Sequence, residues 1–383
     1  MQVAVEPIVD LPTGRLQEWR TLATAAVEPN PCSEPAIAAS AAPTLLGGAS
    51  AALLSVRVGD RLVLALPVVA IRQYRRVPVP GFATWRHAHF TSGVPLVAPG
   101  SGPAAWAAVL DWMAEERVPW LVLETVHDGG PAVEPLEEVL GRRGRRAHRF
   151  ETYERAVVHR RAEPSYTDGR MSGSRRKKLR RRRRQLSELL GEEVRTTELL
   201  AMGSGLDASV DEFLRLEASG WKGEEQTALA SRAGDAAFFR RSCSSLHAEG
   251  RLQIWRLGTA TRTVSMACAA LAGDTVFHLK VAYDEQFAHF SPGIQLELDL
   301  LAAFHADARL VSLDSCTGAD NEAMNQLYPD RMAMATLLVA PSDLRGRAAA
   351  ALTPPAVRAF RRSRRLAYRA VGRTPPSDHG VVA

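Results

Sequence analysis

Two short segments of this chain match each other 200 positions apart, and this repeat constrains the fold more than any other feature of the sequence. Residues 89–96 read HFTSGVPL and residues 289–296 read HFSPGIQL, with four identical positions and two conservative ones. Each segment is followed by a helical pattern, over 104–116 and 294–307, and then by an apolar strand that ends in an acidic residue. This shared order of elements predicts a duplicated unit of helices and strands.

The remainder of each half indicates antiparallel strands. Residues 53–71 contain two β-rich runs around a Gly-Asp pair, which is typical of a hairpin turn. Residues 251–283 contain three such runs, broken at Gly258 and at a second Gly-Asp pair. We therefore predict an α+β (mixed α/β) fold of two tandem domains, each with a mostly antiparallel central sheet flanked by helices.

The predicted boundary lies in residues 160–172, which are polar, rich in turn formers and without apolar periodicity. We expect one domain over residues 1–160 and a second over residues 161–345. Residues 346–383 read as a basic C-terminal helix followed by a tail with two Pro-Pro pairs.

The composition excludes several classes of protein. Of the 383 residues, 46% are hydrophobic and 23% are charged, which is typical of a globular protein and not of a disordered chain. No apolar run approaches the roughly 18–20 residues of a membrane-spanning helix, and the N-terminus lacks the basic start of a secretory signal. The four cysteines lie far apart, so we expect reduced thiols, a cytoplasmic location, and neither a metal site nor a redox cofactor.

The net charge of +6 comes mainly from one segment. Residues 175–184 read RRKKLRRRRR and carry nine of the 48 basic residues; without them the chain has 39 basic against 42 acidic residues. As a helix over 174–189, this segment leaves a narrow apolar stripe and a broad cationic surface. That surface is either only solvated or a site for a polyanion. A second basic stretch covers residues 358–373.

A candidate anion site lies in residues 276–318. A strand over 276–282 leads to Ser291, Pro292 and Gly293, and a helix begins directly afterwards. The first N–H groups of a helix lack internal partners and carry a partial positive charge, so they favour a phosphate. The expected donors are the N–H groups of Gly293, Ile294 and Gln295, although an ordinary turn before a helix would have the same composition.

These residues carry a resemblance to a known family. The order strand, KVAYDEQFAHFSPG, helix and strand ending in Asp314 resembles the core of the GNAT acyltransferases, in which this loop cradles the pyrophosphate of coenzyme A. In detail, the chain resembles the CelD/BcsL-type branch, which is related to Fem-type aminoacyl ligases with two GNAT domains. The resemblance covers about residues 15–340, and it departs from the usual Gly-x-Gly signature, where this chain has SPG at 291–293.

The resemblance implies a degenerate GNAT-like first domain and a GNAT-like acyltransferase second domain. It places Ser291, Gly293, Ile294 and Gln295 in the phosphate-binding turn. It also places Lys280, Tyr283 and Asp284 beside the acyl-transfer cleft, where Tyr283 is either the general acid or simply a packing residue.

The remaining candidates come from chemistry that an N-acylation requires. The amine must lose a proton and the leaving thiolate must gain one. Asp314 is the candidate base or amine anchor, unless it only caps the helix that follows it. Trp221 and Lys222 are candidates for substrate binding, Tyr328 is a second candidate acid, and His289 is a further candidate base.

We therefore expect a GNAT-type N-acetyltransferase, transferring groups other than aminoacyl groups, with acetyl-CoA or another acyl-CoA as co-substrate. The expected acceptor is an amine of a small metabolite, sugar or envelope precursor, and transfer is direct. Two alternatives stay open: a Fem-like transferase that uses aminoacyl-tRNA, and a non-catalytic GNAT-fold scaffold that binds a polyanion through residues 175–184.

Overall fold

The computed structural model describes residues 1–74, 80–164, 166, 170–340 and 355, together with every side chain in those ranges except that of Trp221. The chain divides into two compact units. The first comprises residues 1–43, 47–153 and the described residues from Ala333 onward, and the second comprises 44–46 and 154–332. The predicted C-terminal helix over 346–383 lies outside the described residues, apart from Pro355.

The helices and strands follow in chain order. Up to the end of the seventh strand they are β1 Gln2–Pro7, α1 Thr13–Ala25, α2 Pro35–Ala41, β2 Ala51–Val58, β3 Arg61–Ile71, β4 Gly81–Thr84, β5 Leu96–Val97, α3 Gly102–Glu115, β6 Leu121–His127, α4 Glu134–Arg142 and β7 His148–His159. The remainder are α5 Gly173–Leu190, β8 Arg195–Glu198, α6 Leu206–Ala218, α7 Trp221–Glu224, α8 Ala233–Ala248, β9 Leu252–Gly258, β10 Thr263–Ala272, β11 Thr275–Tyr283, α9 Pro292–Ala306, β12 Ser312–Asp314, α10 Glu322–Leu327 and β13 Asp330–Val339.

The sheet of the first unit has the strand order β1-β2-β3-β4-β6-β13, with β5 paired to β3. All of its pairings are antiparallel except that between β4 and β6. The predicted hairpin is confirmed: β2 and β3 join at a turn where Gly59 has a φ of +56°, a conformation that glycine adopts without steric cost.

The sheet of the second unit has the order β7-β12-β11-β10-β9-β8. Strands β9 to β11 form the predicted antiparallel meander, β8 adds a further antiparallel strand beside β9, and the short β12 lies parallel to β11. The predicted fold class is confirmed, because each unit is a mostly antiparallel sheet with helices packed against it.

A β-bulge divides strand β11. His278 pairs with Ala269 and Lys280 pairs with Cys268, so Leu279 is an extra residue on β11. An extra residue reverses the alternation of side chains between the two faces of a sheet. Before the bulge, Val276 packs in the same apolar cluster as residues of α9; after it, Val281 packs against further residues of α9. Lys280 therefore projects to the opposite face, which carries α6 and α8.

Helix α5 confirms the predicted helix in the basic segment. The Ser172 hydroxyl accepts a hydrogen bond from the N–H of Arg175 at 3.3 Å, which caps its first turn, and Gly191 ends it with a φ of +72°. Leu179 and Leu186 are buried on its inner side, with Leu186 in the cluster that contains Phe290 from the segment just before α9. Apolar packing of this inner side holds a helix that is otherwise cationic.

The two repeat segments have different local structures. Residues 289–296 end a short 3₁₀ helix and begin α9. Residues 89–96 form a loop that leads into β5, and α3 begins only at Gly102. The predicted helices are confirmed in both halves, since α3 covers the expected 104–116 and α9 the expected 294–307, but a short strand precedes the helix in the first half.

We expect Leu186→Ala to lower the free energy of unfolding by about 2–5 kcal/mol, because the fully buried side chain leaves a cavity behind. Urea denaturation followed by circular dichroism measures the change. Leu189→Ala is the matched control on the same helix; its side chain is 62% exposed, so a loss within about 0.5 kcal/mol is expected. Equal losses in both variants would contradict the inward orientation of Leu186.

Candidate functional site

The turn between β11 and α9 presents backbone N–H groups. Ser291 precedes α9 with a φ of +59° and a ψ of +53°, a left-handed conformation that is costly for a residue with a side chain. The first hydrogen bond of the helix runs from the Gln295 N–H to the Ser291 carbonyl at 3.1 Å. The N–H groups of Gly293 and Ile294 come before this bond and are therefore available to a ligand.

Gln295 has a different position from the one expected. Its N–H is part of the helix, its side chain is buried, and its Nε2 donates to the carbonyl of Phe290 at 2.9 Å. The side chain thus fastens the loop to the first turn of α9. Of the expected phosphate donors, Gly293 and Ile294 keep a free N–H, while Gln295 supports the turn from behind.

An arginine from α5 reaches this turn. Nη1 of Arg182 donates to the Ser291 hydroxyl at 2.7 Å. A guanidinium carries five N–H donors, so the others remain able to bind an anion in front of the turn. The sequence analysis included Arg182 in the basic segment but did not identify it as a site residue. The positions of Leu179 and Leu186 could have identified it, because these two leucines define which side of the helix faces the protein.

Gly293 and Tyr283 lie side by side. A Cβ atom built on Gly293 would lie 4.0 Å from Cδ1 of Tyr283, with no nearer neighbour outside the adjoining backbone. The space in front of the turn is therefore open, and the phenol ring forms one border of it. Tyr283 is 37% exposed, which fits a residue at the border of a site.

A small cavity of about 40 Å³ adjoins Tyr283. A volume of this size holds a few water molecules. Nζ of Lys222 donates to Oε1 of Glu217 at 3.0 Å and to the carbonyl of Val281 at 3.4 Å. The lining residues are Glu217, Gly220, Lys222, Val281, Ala282, Tyr283 and Glu285. Glu217 is a functional candidate that the sequence did not reveal.

One edge of β11 is open beside this cavity. In the described part of the chain, β12 pairs with β11 only from Thr275 to Phe277. Beyond the bulge, β11 pairs with β10 alone, and the carbonyl of Val281 accepts from Lys222 instead of from a strand. The remaining edge groups of β11 can therefore bind an extended ligand by main-chain hydrogen bonds.

Lys280 lies on the face of the sheet opposite α9. Burial lowers the pKa of its ammonium group. The negative charge of Glu217 partly offsets this effect, and the positive charge of Lys222 lowers the pKa further. Asp235 of α8 is also nearby, and burial raises the pKa of that carboxyl group. The bulge therefore directs Lys280 into a mixed cluster of two lysines and two carboxylates.

Asp314 lies away from this site. It pairs with Phe277 in the β11–β12 ladder, six residues before Tyr283, which corresponds to roughly 20 Å along a strand. Its Oδ1 accepts the N–H of Cys316 at 2.7 Å, and its Oδ2 accepts from the buried Arg155 at 3.2 Å. Asp314 and Tyr283 therefore do not form one acid–base pair, and Asp314 has a structural ion pair and turn cap.

The other expected residues have varied surroundings. Asp284 caps the 3₁₀ helix through the N–H of Gln286 and pairs with Arg262 at 2.6 Å, so its carboxylate is occupied. His289 is exposed, and its ring centroid lies 3.8 Å from that of Phe290. Trp221 begins α7, and its side chain lies outside the described part of the structure.

A buried polar cluster lies between β11, α9 and the residue after α10. The Tyr328 hydroxyl donates to Oε1 of Glu297 at 2.5 Å, and Nδ1 of His278 is 3.4 Å from Oε2 of the same carboxylate. Burial raises the pKa of Tyr328 well above its usual value. The second candidate acid is thus fully enclosed and bonded, which gives it a structural role.

No group of three or more metal-ligating side chains occurs in the described ranges. A helix of sufficient length and apolarity to cross a bilayer is likewise not found among the described residues.

Comparisons with known proteins agree with this architecture. Residues 173–323, which lie within the second unit, match the family model of the acetyltransferase (GNAT) domain. No curated protein matches the chain.

Three solved structures share the fold. The crystal structure of FemX has 11% identity and a TM-score of 0.55, covering 92% of this chain and 100% of that chain. A conserved protein from Bacteroides thetaiotaomicron has 10% identity and a TM-score of 0.51, covering 88% and 100%. The C-terminal domain of a protein described as a lysylphosphatidylglycerol synthetase from Agrobacterium fabrum has 9% identity and a TM-score of 0.50, covering 90% and 96%. At these identities the likeness establishes the fold alone.

We expect Asp314→Ala to lower the free energy of unfolding by about 3–5 kcal/mol, because it leaves Arg155 buried without its carboxylate. Chemical denaturation measures this loss. The double variant Arg155→Met/Asp314→Leu removes both charges and should recover much of the stability. A stable Asp314→Ala variant that has lost all activity would instead support a catalytic base at this position.

We expect Lys280→Met to stabilise the protein at pH 7. The folded-state pKa of Lys280 lies below 10.5, so at pH 7 folding keeps a charged group in unfavourable surroundings. The gain should shrink as the pH rises from the folded-state pKa towards 10.5, where the group becomes neutral in both states. Urea denaturation midpoints at neutral and alkaline pH measure this gain in stability. Lys222→Met is the control variant, since it loses the hydrogen bond to Glu217. A gain that grows with pH would refute this account.

Proposed function

We propose that this protein is an N-acyltransferase that binds acyl-CoA at the Ser291 turn and transfers the acyl group directly to an amine. The contact between Arg182 and Ser291 carries the proposal, because it brings a guanidinium to the N–H groups that begin a 15-residue helix. The match of residues 173–323 to the GNAT domain supports the same reaction class.

The proposed site for the pyrophosphate lies in front of Gly293 and Ile294. The helix dipole contributes roughly half a positive charge there, and Arg182 adds a full one. Gly293 allows a phosphate to approach the backbone, because only open space and the edge of Tyr283 lie near its missing side chain. This arrangement favours a donor that carries adjacent phosphate groups.

The proposed path of the donor arm follows the open edge of β11. The pantetheine arm of coenzyme A contains two amides, which can pair with strand groups that β12 leaves free after Phe277. We propose that the arm runs from the Ser291 turn along this edge, past Tyr283 and the adjoining cavity. The cavity of about 40 Å³ favours a short acyl group such as acetyl.

In the proposed reaction, the neutral amine attacks the thioester carbonyl, a C–N bond forms and the C–S bond breaks. The amine nitrogen loses a proton and the departing thiolate gains one. We assign the proton donor to Tyr283, which lines the cavity. We assign the proton acceptor to Glu285 in place of the distant Asp314, with the exposed His289 as the alternative base.

The acceptor is proposed to be an amine of a small metabolite, sugar or envelope precursor, in keeping with the CelD/BcsL-type resemblance. We place the reaction in the cytoplasm. The four cysteines are free thiols, which suits a reducing compartment. Burial raises the pKa of Cys243 to about 12 and that of Cys268 well above its usual value, so neither serves as a nucleophile.

We expect one-to-one binding of acetyl-CoA in calorimetric titration at moderate salt, and its loss in Gly293→Trp, whose indole would fill the space in front of the turn. Gly293→Ala is the matched control: its Cβ meets nothing closer than 4.0 Å, so binding should persist. Circular dichroism confirms that both variants fold. Unchanged binding in Gly293→Trp would place the donor elsewhere.

We also expect Arg182→Gln to weaken acetyl-CoA binding by about 10- to 100-fold, since a charged hydrogen bond to phosphate is lost. Arg181→Gln removes the same charge from the exposed side of α5 and should change binding little. Failure of the wild-type protein to bind any acyl-CoA would refute the proposed donor, and an aminoacyl-tRNA would then be the ligand to test.

A further inference from the structure

Helix α5 divides its nine cations between two sides. Four arginines are half-buried and contact the protein. Arg175 donates to Gln326, Arg182 to Ser291 and Arg183 to Asp299. The fourth, Arg176, is also only partly exposed. These contacts account for the inner cations without any external partner.

The other five cations form an exposed patch, which we call the α5 cationic face. At 100° per residue they span an arc of roughly 160°, opposite the buried Leu179 and Leu186, and about 10 Å of helix length. Arg184 is 3.6 Å from the exposed Glu188, and no carboxylate among the described residues pairs with the other four. The members of the face are Lys177, Lys178, Arg180, Arg181 and Arg184.

Such a face is unfavourable without an external anion. Five like charges within about two helical turns repel one another, and the fold uses none of them for packing. The CoA proposal does not require them either, because Arg182 points to the Ser291 turn from the inner side. An external polyanion is therefore the partner that this face fits.

We propose that the α5 cationic face docks on the surface of a bilayer that contains anionic lipids. A lipid surface presents many phosphates in one plane, to which a helix lying flat can apply all five cations at once. Leu189 borders the face and is 62% exposed, so it can enter the interface beside the head groups. The segment 175–184 contains no aromatic residue on which a nucleic acid base could stack.

The docked helix would leave the candidate donor turn uncovered. Arg182 lies roughly 120° around the helix from the centre of the face, so its contact with Ser291 is kept. The surface interaction is independent of the proposed acyl transfer, and it would bring the second unit to acceptors that reside at a membrane. Binding to lipid and binding to CoA can therefore be measured separately.

The test is co-sedimentation of the full chain with phosphatidylcholine vesicles, with and without phosphatidylglycerol as a third of the lipid. We expect binding only to the anionic vesicles, falling steeply as salt is raised. Changing all five cations of the face to Gln should weaken binding by at least about 100-fold, because each contributes about 1 kcal/mol near an anionic surface.

A control variant removes the same net charge from exposed arginines outside α5, and it should bind nearly as the wild type does: Arg61→Gln, Arg142→Gln, Arg146→Gln, Arg195→Gln and Arg309→Gln. If folding of the five-fold α5 variant is impaired, Arg180→Gln/Arg181→Gln should still weaken binding by about 10-fold or more. Equal losses in the control, or no vesicle binding by a wild type that binds duplex RNA at the same salt, would overturn the proposal.

Discussion

The extra residue in β11 is the feature on which the candidate site depends. In a regular strand with Leu279 in the ladder, Lys280 would share a face with Val276 and His278 and would point at α9. The bulge instead sends Lys280 towards Glu217 and returns Val281 to the apolar cluster under α9. Pairing with β12 also ends just before it, so the same irregularity accompanies the open strand edge beside Tyr283.

The second contribution comes from α5, a helix whose charges have two separate uses. Its inner side combines buried leucines with arginines that reach Ser291 and Asp299, which secures the turn before α9. Its outer side adds five exposed cations that the fold does not use. A single segment of sequence thus supports the strained turn that we propose as the anion site, and it presents a separate cationic surface. The two sets of cations lie on different sides of α5 because of the helical period of 3.6 residues per turn.

Much of the architecture followed from local patterns. The hairpin around Gly59, the meander of β9 to β11, the basic helix and the start of α9 were all predicted, because turn formers, caps and periodicity act over a few residues. The candidate phosphate turn was found in the same way. The repeat predicted less of the structure. Residues 89–96 and 289–296 have similar sequences, yet the first segment leads into a strand and the second into a helix. The conformation of each segment is set by the residues that pack against it.

What the sequence by itself determined is therefore the order of elements, the cationic helix and the Ser291 turn, each encoded within a short stretch of chain. Only the tertiary structure decided which side chains meet. Arg182 and Ser291 are 109 residues apart in the chain, yet their side chains are in contact. Asp314 and Tyr283 belong to the same candidate segment of the sequence, yet the register of β12 against β11 keeps them apart. Strand register and helix packing are long-range properties, because they depend on how distant segments bury apolar surface together, and no local pattern specifies them.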